Sequence, residues 1–326
     1  MQLNKLIKRE ARKLNIDICR ITDGSELKKE KAILKNRKKK GYWPQPLTNQ
    51  NIKELTEPAL HFSNLNSIIV VALSYNNGGG TKILSNYVSK EDYHNFLKDK
   101  MEALTAVLKE KIDEDFSYKL FVDTAPFLER AIAEKAGAGF IGKNTMLINP
   151  EYGSYLFLGE IFTDLKIEKD SPLNLDCGEC RICIDNCEGG ALKDEYLLDA
   201  SDCISYLTQK KGILTENEIY KIGSHVWGCD VCQLKCPYNK NKKETEREEM
   251  QFFNRGLEYF LKLERNLPPA ELKNTAISWR GIRILIRNAL ISAANEQRKE
   301  YFHLIKEKLN DNSPIIRYYA ARALIK

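Results

Sequence analysis

The sequence of 326 residues lacks any long hydrophobic run. No stretch approaches the roughly 18 to 20 consecutive apolar residues that a membrane span requires. The N-terminus, MQLNKLIKREARK, also lacks the apolar core of a secretory signal peptide. We therefore expect a cytoplasmic protein without a membrane anchor. With 43% hydrophobic and 29% charged residues, the composition is that of a folded protein of two or three domains.

Glycine motifs that bind nucleotides are missing as well. No G-x-G-x-x-G follows a predicted strand, so a Rossmann-type dinucleotide site has no support. The segment AGAGFIGKN at 136–144 contains glycines and a lysine, but not in the order of a P-loop. Histidine is scarce, with four in the chain, and His94 is predicted to lie on a helix surface.

Cysteine, by contrast, is concentrated in one part of the chain. Eight of the nine cysteines lie between Cys177 and Cys236, and the ninth, Cys19, is predicted to be an inert buried thiol. In a reducing cytosol such crowding indicates metal binding rather than disulfides. The spacing Cys-x2-Cys-x2-Cys-x3-Cys from Cys177 to Cys187 is typical of a [4Fe–4S] site, and a second set ends in Cys-Pro at Cys236.

A ligand rule known for two-cluster ferredoxins assigns these cysteines to two clusters. The fourth cysteine of one run binds the other cluster. This rule predicts a first cluster bound by Cys177, Cys180, Cys183 and Cys236. It predicts a second cluster bound by Cys187, Cys203, Cys229 and Cys232. A zinc ribbon is the alternative, although it needs only four cysteines in two pairs.

The net charge of +6 is small, but its distribution is uneven. Residues 28–40 carry eight basic residues and one acidic residue, and residues 251–326 carry fourteen basic and seven acidic residues. Each region is therefore net +7, on an otherwise acidic chain. Two basic regions of this kind favour a polyanionic partner such as nucleic acid. For 28–40 a solvated helix face is an equally good interpretation.

Hydrophobic periodicity predicts alternating helices and strands in the first half of the chain. We expect an α/β (α+β) domain over 1–168, since strands and helices alternate throughout it. The predicted elements are a helix over 1–20, a strand over 67–75, a helix over 91–114, a strand over 118–123 and a strand over 153–165. Asp123 stands at the end of its strand, before a helix that Thr124 can cap.

The remaining chain divides into two further predicted domains. Residues 169–245 hold the cysteines and are expected to form a ferredoxin-like domain, and residues 246–326 have a purely helical pattern. In that tail, 286–293 and 316–323 share Ile-Arg and a terminal Ala at a period of 30 residues, as in a HEAT-like repeat. Chance similarity between Ala-rich helices remains the alternative. If the tail docks a polyanion, Arg287 and Arg317 are its predicted contacts.

From about residue 65 onward the sequence resembles the epoxyqueuosine reductase family. The resemblance is carried by VDTAPFLERAIAEKAGAGFIGKNTMLI, GSYLFLGEIFTDL, CISYLTQKKG, WGCDVCQLKCPYN and the helical tail. It implies cobalamin bound between the α/β domain and the ferredoxin-like domain, with two [4Fe–4S] clusters that feed it electrons. It also implies the last step of queuosine biosynthesis, in which epoxyqueuosine at the wobble position of tRNA is reduced to queuosine.

The same resemblance implies roles for individual residues. Asp123 corresponds to a proton donor, and in an apolar pocket its pKa could be raised for this purpose. The implied cobalamin contacts are Asn86, Asp123, Leu147, Leu158, Ser205, Tyr206 and Asp230. The implied tRNA contacts are Lys210, Lys211 and Gly212. Without the resemblance, Asp123 is a helix-capping residue, and Leu147 and Leu158 are ordinary core residues.

Two other functions stay open at this point. One is a corrinoid iron–sulfur reductive dehalogenase, which a basic helical tail does not favour because a small substrate has no need of it. The other is a ferredoxin-type electron carrier fused to a helical scaffold, which would bind no corrinoid and would not depend on Asp123. The reductase interpretation further predicts a monomer that receives electrons from an external low-potential donor. The first 60 residues match the family poorly, so no ligand is assigned there.

Overall fold

The computed structural model describes residues 3–43, 50–78, 80–113, 115–242 and 244–325. Its strands are β1 Ile18–Thr22, β2 Ser67–Ser74, β3 Tyr118–Phe121, β4 Phe140–Ile141, β5 Leu147–Ile148, β6 Leu156–Thr163, β7 Leu192–Asp194 and β8 Leu197–Leu198. Its helices up to the cysteine region are α1 Leu3–Lys13, α2 Lys28–Lys39, α3 Ile52–Thr56, α4 Tyr93–Lys111 and α5 Glu129–Lys135. Those that follow are α6 Ile182–Asp185, α7 Ile204–Leu207, α8 Glu216–Ile222, α9 Val231–Leu234, α10 Leu257–Lys262, α11 Ala270–Lys273, α12 Ile282–Asn295, α13 Phe302–Glu307 and α14 Pro314–Ile325.

A four-stranded sheet in the order β1-β2-β6-β3 forms the centre of the N-terminal part. All of its neighbouring strands are antiparallel, and the two central strands are in register from Ser67 opposite Thr163 to Ser74 opposite Leu156. Both central strands are buried almost throughout, which explains why they read as continuous apolar runs rather than as alternating ones. The mixed α and β composition expected from the sequence is confirmed, with α+β topology.

Helices cover both faces of this sheet. On one face α1 and α4 enclose a core that includes Ile69 and Ile161, and on the other α5 encloses a core that includes Val70 and Phe162. Adjacent strand residues thus serve opposite cores, as the period of two requires.

The prediction of one helix over 1–20 is wrong. Helix α1 ends at Lys13, and Ile18 begins strand β1, where it pairs with Ala72. Between them Asn15 adopts a left-handed backbone with φ of +56°, which an Asn tolerates and which ends the helix. Cys19 therefore lies in a strand rather than a helix and is partly buried, and burial raises the pKa of its thiol to about 12.

The tail is helical, as predicted, and packs around α12. That helix is buried nearly all round, and the two similar segments of the sequence lie on α12 and α14, which pack against each other. Their shared apolar core extends to Trp227 in the cysteine region and to Leu84 and Val88 in the N-terminal part. Among the described residues, no helix has the length and apolar character needed to cross a lipid bilayer.

Candidate active site between the sheet and the cysteine region

A cavity of about 870 Å³ lies between the N-terminal sheet and the cysteine region. This volume is near the upper end of those found for small-molecule sites. One wall comes from β6 and the start of α4, and the opposite wall comes from residues 187–192 and 229–233. The rim also includes Gln209 and, from the tail, Ala276 and Trp279. All three parts of the chain therefore contribute to one site.

Asp123 lies on the sheet side of this cavity, two residues after β3. Its backbone is left-handed, with φ of +50°, and its N–H donates to Glu129 Oε1 at 2.6 Å. Its side chain is 62% exposed and faces the cavity. A non-glycine residue at positive φ is uncommon, so this turn is held by its surroundings. The direct contacts of Asp123 are polar, whereas Leu156, Phe157 and Leu158 line the same cavity, so its surroundings are apolar only in part.

Two side chains from the start of α4 reach the Asp123 carboxylate. Tyr93 donates its hydroxyl hydrogen to Asp123 Oδ2 at 2.6 Å, and its ring stacks on Phe157 at 4.2 Å. His94 Nε2 lies 3.9 Å from Asp123 Oδ2, while its Nδ1 is 2.6 Å from Asp92 Oδ1. The hydrogen bond to Asp92 raises the pKa of His94. The prediction that His94 is merely a helix-surface residue is therefore wrong.

A buried pair of carboxyl groups lies behind Asp123. Glu160 points from β6 into the apolar core with 0% exposure, and neither of its oxygens makes a hydrogen bond of ordinary geometry. Burial raises the pKa of Glu160 well above its usual value, and the neighbouring Glu129 and Asp123 add to the effect. Burial, with the adjacent Asp123 carboxylate, also raises the pKa of Glu129 to about 7. These glutamates thus hold protons near neutral pH, directly behind Asp123.

The residues implied as cobalamin contacts reach the cavity only in part. Asp123, Leu158, Ser205 and Asp230 line it. Asn86, Leu147 and Tyr206 are not among the residues that line it. Leu147 packs in the core of the sheet, and Tyr206 packs against the core of the tail. Their chain neighbours Met146, Ser85 and Tyr87 line the cavity instead.

Asp230 joins the two walls of the cavity. It is 6% exposed and accepts hydrogen bonds from Ser85 Oγ at 2.6 Å and from the backbone N–H of Asn86. Gln233 also donates to it at 3.3 Å. Asn86 is buried, and its side-chain oxygen has no hydrogen-bond partner in the described structure. The role of Asn86 that the structure supports is to hold this junction through its backbone.

Electrostatic contacts divide the eight cysteines into two groups. The pKa of Cys183 is raised by burial and then by the neighbouring thiols of Cys177 and Cys236, and Cys236 in turn feels Cys177 and Cys180. The pKa of Cys232 is raised by burial and then by Cys229, Cys203 and Cys187. The fold therefore brings together Cys177, Cys180, Cys183 and Cys236 in one group, and Cys187, Cys203, Cys229 and Cys232 in the other.

These are the two sets that the ligand rule predicts. Within the described ranges, no group of three or more Cys, His, Asp or Glu side chains is arranged to hold a single metal ion. All four cysteines of the second group line the cavity, whereas those of the first group do not. A cluster in the second group would thus border the same space as Asp123.

The expected polyanion contacts behave differently from one another. Lys211 and Gly212 are exposed, and Lys210 pairs with Glu218. Arg317 is exposed and donates to the backbone oxygen of Asp311 at 2.7 Å.

Arg287 is not available to a polyanion, so its prediction as a direct contact is wrong. It is 1% exposed, and its guanidinium donates to the backbone oxygens of Lys210 at 2.5 Å and Gly212 at 3.1 Å. The five donors of an arginine let one side chain hold several carbonyl groups at once. Arg287 therefore shapes the exposed segment 210–212 from beneath it.

Sequence reasoning missed several residues of the site. Tyr93, Glu129 and Glu160 are ordinary in the sequence, and only their convergence on Asp123 distinguishes them. For Glu160 a signal was present, because an acidic residue interrupts an otherwise apolar strand. Trp279 has no motif around it in the sequence that distinguishes it from an ordinary residue of the helical tail.

Comparisons with known proteins agree with this geometry. The family model described as "4Fe-4S double cluster binding domain" matches residues 176–239, which include all eight cysteines. The family model "Epoxyqueuosine reductase QueG, DUF1730" matches residues 56–124, which end just after Asp123. An epoxyqueuosine reductase from Lactococcus garvieae is 34% identical over 306 residues, covering 90% of this chain and 87% of that protein.

The chain belongs to the epoxyqueuosine reductase family. Solved structures of the family have the same fold. A crystal structure of epoxyqueuosine reductase with an epoxyqueuosine-modified tRNA-Tyr stem loop has a TM-score of 0.89 at 32% identity, covering 99% of this chain and 89% of that chain. A Bacillus subtilis epoxyqueuosine reductase, with its catalytic loop swung out of the active site, has a TM-score of 0.88 at 31% identity, covering 98% and 89%.

Proposed function

We propose that this epoxyqueuosine reductase reduces epoxyqueuosine at the wobble position of tRNA to queuosine. The observation that carries the proposal is one cavity bordered by Asp123, by four cysteines of the double-cluster region and by the tail. Opening an epoxide to an alkene and water consumes two electrons and two protons. The cysteine side supports the supply of electrons, and the carboxyl groups of the opposite side support the supply of protons.

The residues present fit a cobalamin in this cavity. Leu158 and Phe157 offer an apolar wall, Ser205 offers a hydroxyl group, and the second cysteine group borders the same space. Bound cobalamin supplies a low-valent cobalt centre that delivers electrons to the epoxide. We assign Leu158, Ser205 and Asp230 to its binding, with Met146 in place of Leu147.

Two [4Fe–4S] clusters conduct electrons to this site in our proposal. The second group, with Cys187, Cys203, Cys229 and Cys232, is the one next to the cavity. The first group, with Cys177, Cys180, Cys183 and Cys236, lies farther from it and is the entry point for an external low-potential donor. We propose Cys-ligated clusters at both groups, because thiolates are the ligands that such clusters require.

Asp123 is the residue we propose as the proton donor to the oxygen that leaves the carbon. Its carboxyl group faces the cavity, and Tyr93 and Glu129 fix its orientation through its side chain and its backbone N–H. A general acid must lie within hydrogen-bond reach of the atom it protonates, and a fixed orientation holds the carboxyl group in that geometry. We propose that Glu129 and Glu160 return a proton to Asp123 after each turnover, because the pKa of each is raised.

The tRNA is held at the rim of the cavity in this proposal. Lys211 and Arg317 are exposed cations suited to phosphate, and Lys210 and Gly212 belong to the segment that Arg287 supports. The tail, 246–326, is proposed to be a HEAT-like tRNA-binding domain beside a ferredoxin-like domain over 169–245 and a cobalamin-binding domain over 1–168. We propose that the enzyme acts as a monomer in the cytoplasm, since one chain supplies every wall of the cavity.

Turnover by an Asp123→Asn variant tests the proposed chemistry. The protein, loaded with both clusters and cobalamin, is incubated anaerobically with a low-potential reductant and tRNA carrying epoxyqueuosine. We expect wild type to form queuosine and the variant to lose at least about a hundredfold in rate, because general acid catalysis contributes about 10²–10⁴-fold. Lys98→Met, at an exposed residue outside the cavity, is the matched control. Full turnover by Asp123→Asn, with both cofactors retained, would contradict the assignment.

A further inference from the structure

Trp279 differs from the other tryptophans of the chain in being exposed. Of the three tryptophans, Trp43 and Trp227 are buried, at 7% and 0% exposure, whereas Trp279 is 62% exposed. It lies in a short 3-10 helix, Ser278–Arg280, just before α12. It also lines the cavity that contains Asp123. The exposed ring is therefore accessible to a ligand that enters this cavity.

Only one face of this ring is covered. The guanidinium of Arg280 stacks on it, with Cζ 3.8 Å from the ring centroid. Because a stacked guanidinium covers a single face, the large exposed fraction of Trp279 leaves the opposite face accessible. Arg280 makes no hydrogen bond or ion pair within the described part of the chain, and its buried Nε has no partner. Its terminal Nη donors thus remain available to a ligand.

The charge around this pair favours an anionic ligand. Residues 273–283, KNTAISWRGIR, contain three basic residues and no acidic residue. Lys273 and Arg283 are exposed in this segment. An accessible aromatic face beside unpaired basic side chains is the combination with which proteins bind single-stranded nucleic acid, since the ring stacks a base and the cations attract phosphates.

We propose that Trp279 and Arg280 form a stacking site for an unpaired RNA base next to the nucleotide that enters the cavity. The base lies on the free face of Trp279, and Arg280 donates to an adjacent phosphate. A base within a duplex is covered on both faces by its neighbours, so the site selects loop nucleotides. This inference rests on the proposed function, because that function brings an anticodon loop to this rim.

Tryptophan fluorescence tests the stacking directly. Cluster-loaded protein is titrated with a tRNA anticodon stem-loop RNA, and its tryptophan emission is recorded. Trp43 and Trp227 are shielded, so we expect quenching from Trp279 alone. A Trp279→Phe variant, whose RNA binding is followed by anisotropy of a labelled stem-loop, should bind the RNA without quenching. A fully paired RNA duplex of equal length should not quench the wild-type protein.

Affinity gives a second, independent test. We expect Trp279→Ala to bind the stem-loop about 5- to 150-fold more weakly than wild type, the loss measured for one stacked base in other proteins. Trp279→Phe should recover most of this loss, because a phenyl ring also stacks. Tyr220→Ala is the matched control, since Tyr220 is 78% exposed but does not line the cavity. It should bind as wild type does.

Three results would overturn the proposal. The first is a Trp279→Ala variant that binds the stem-loop with wild-type affinity, and the second is quenching that persists in Trp279→Phe. The third is a Trp279→Ala variant that reduces epoxyqueuosine more slowly only when a protein supplies the electrons. That result would make Trp279 and Arg280 a docking surface for the electron donor. Failure of the proposed function looks different. In that case the wild-type protein binds the stem-loop and is quenched, but forms no queuosine.

Discussion

Replacing Arg287 with methionine tests whether this arginine acts inside the protein or on the RNA. Its guanidinium donates to the carbonyl oxygens of Lys210 at 2.5 Å, Gly212 at 3.1 Å and Leu207 at 3.4 Å. It also donates to Asn288 Oδ1 at 3.0 and 2.8 Å. Methionine retains most of the apolar stem but removes every donor. The acceptors therefore lose their partners without a large cavity being created.

The size of the effect follows from which acceptors water can reach. A buried acceptor left without a donor costs about 1 to 3 kcal/mol. Gly212 is exposed, so water can replace the donor there, whereas Leu207 is fully buried. Removing the buried charge offsets part of this cost in stability. Burial disfavours the charged guanidinium, as the lowering of the pKa of Arg287 to about 10 indicates. We expect a net loss of about 2 to 3 kcal/mol, or a melting temperature lower by about 3 to 4 °C for a chain of this length.

Two assays separate the structural role from direct RNA contact. Thermal melting of the cluster-loaded protein reports stability, and stem-loop binding over a range of salt concentrations reports phosphate contacts. Arg287→Met should melt earlier and leave the slope of log affinity against log salt unchanged. Lys211→Met, at an exposed cation, should do the reverse and reduce the slope by about 0.7 to 0.9. An Arg287→Met protein with wild-type melting and a reduced salt slope would refute the reasoning.

Two further predictions concern proton and cluster binding. Between its usual pKa of 4.5 and about 7, folded Glu129 holds a proton that the unfolded chain releases, so stability falls as pH rises across this window. Glu129→Gln should remove up to about 3 kcal/mol of that fall in unfolding free energy, measured by urea unfolding across the pH window. Parallel curves of unfolding free energy against pH for the variant and wild type would contradict the raised pKa. Cys180→Ser and Cys203→Ser, in different cysteine groups, should each retain about four of about eight iron atoms by iron analysis. Full iron content in either variant would contradict the assigned ligand sets.

Local spacing predicted the parts of the site that depend on short stretches of chain. Three cysteines separated by two residues each can converge on one cluster wherever the segment folds. The two ligand sets could also be predicted, because the fourth cysteine of each run is held by its own turn and binds the cluster of the other run. Asp123, by contrast, was identified through the resemblance to the family, since the sequence pattern alone marks it as a helix cap.

Residues that converge from distant segments could not be predicted in the same way. Glu129 is the first residue of a helix, and Glu160 lies in the middle of a strand. In the sequence Glu129 resembles an ordinary charged helix residue. Their raised pKa values come from burial behind Asp123, which depends on how α5 packs on the sheet. Likewise Arg287 and Arg317 occupy the same place in similar segments, yet one is buried and the other exposed.

The sequence by itself determined the cysteine sets, the mixed α and β composition, the helical tail and the family resemblance. These depend on residue spacing and periodicity, which act over a few turns or strands. Only the tertiary structure decided that Asp123, the second cysteine group and Trp279 border one cavity, and that Arg287 supports the exposed segment 210–212 from inside. Burial and contact between remote segments arise from the packing of the whole chain. The sequence around a basic residue therefore does not show whether that residue will be buried or exposed.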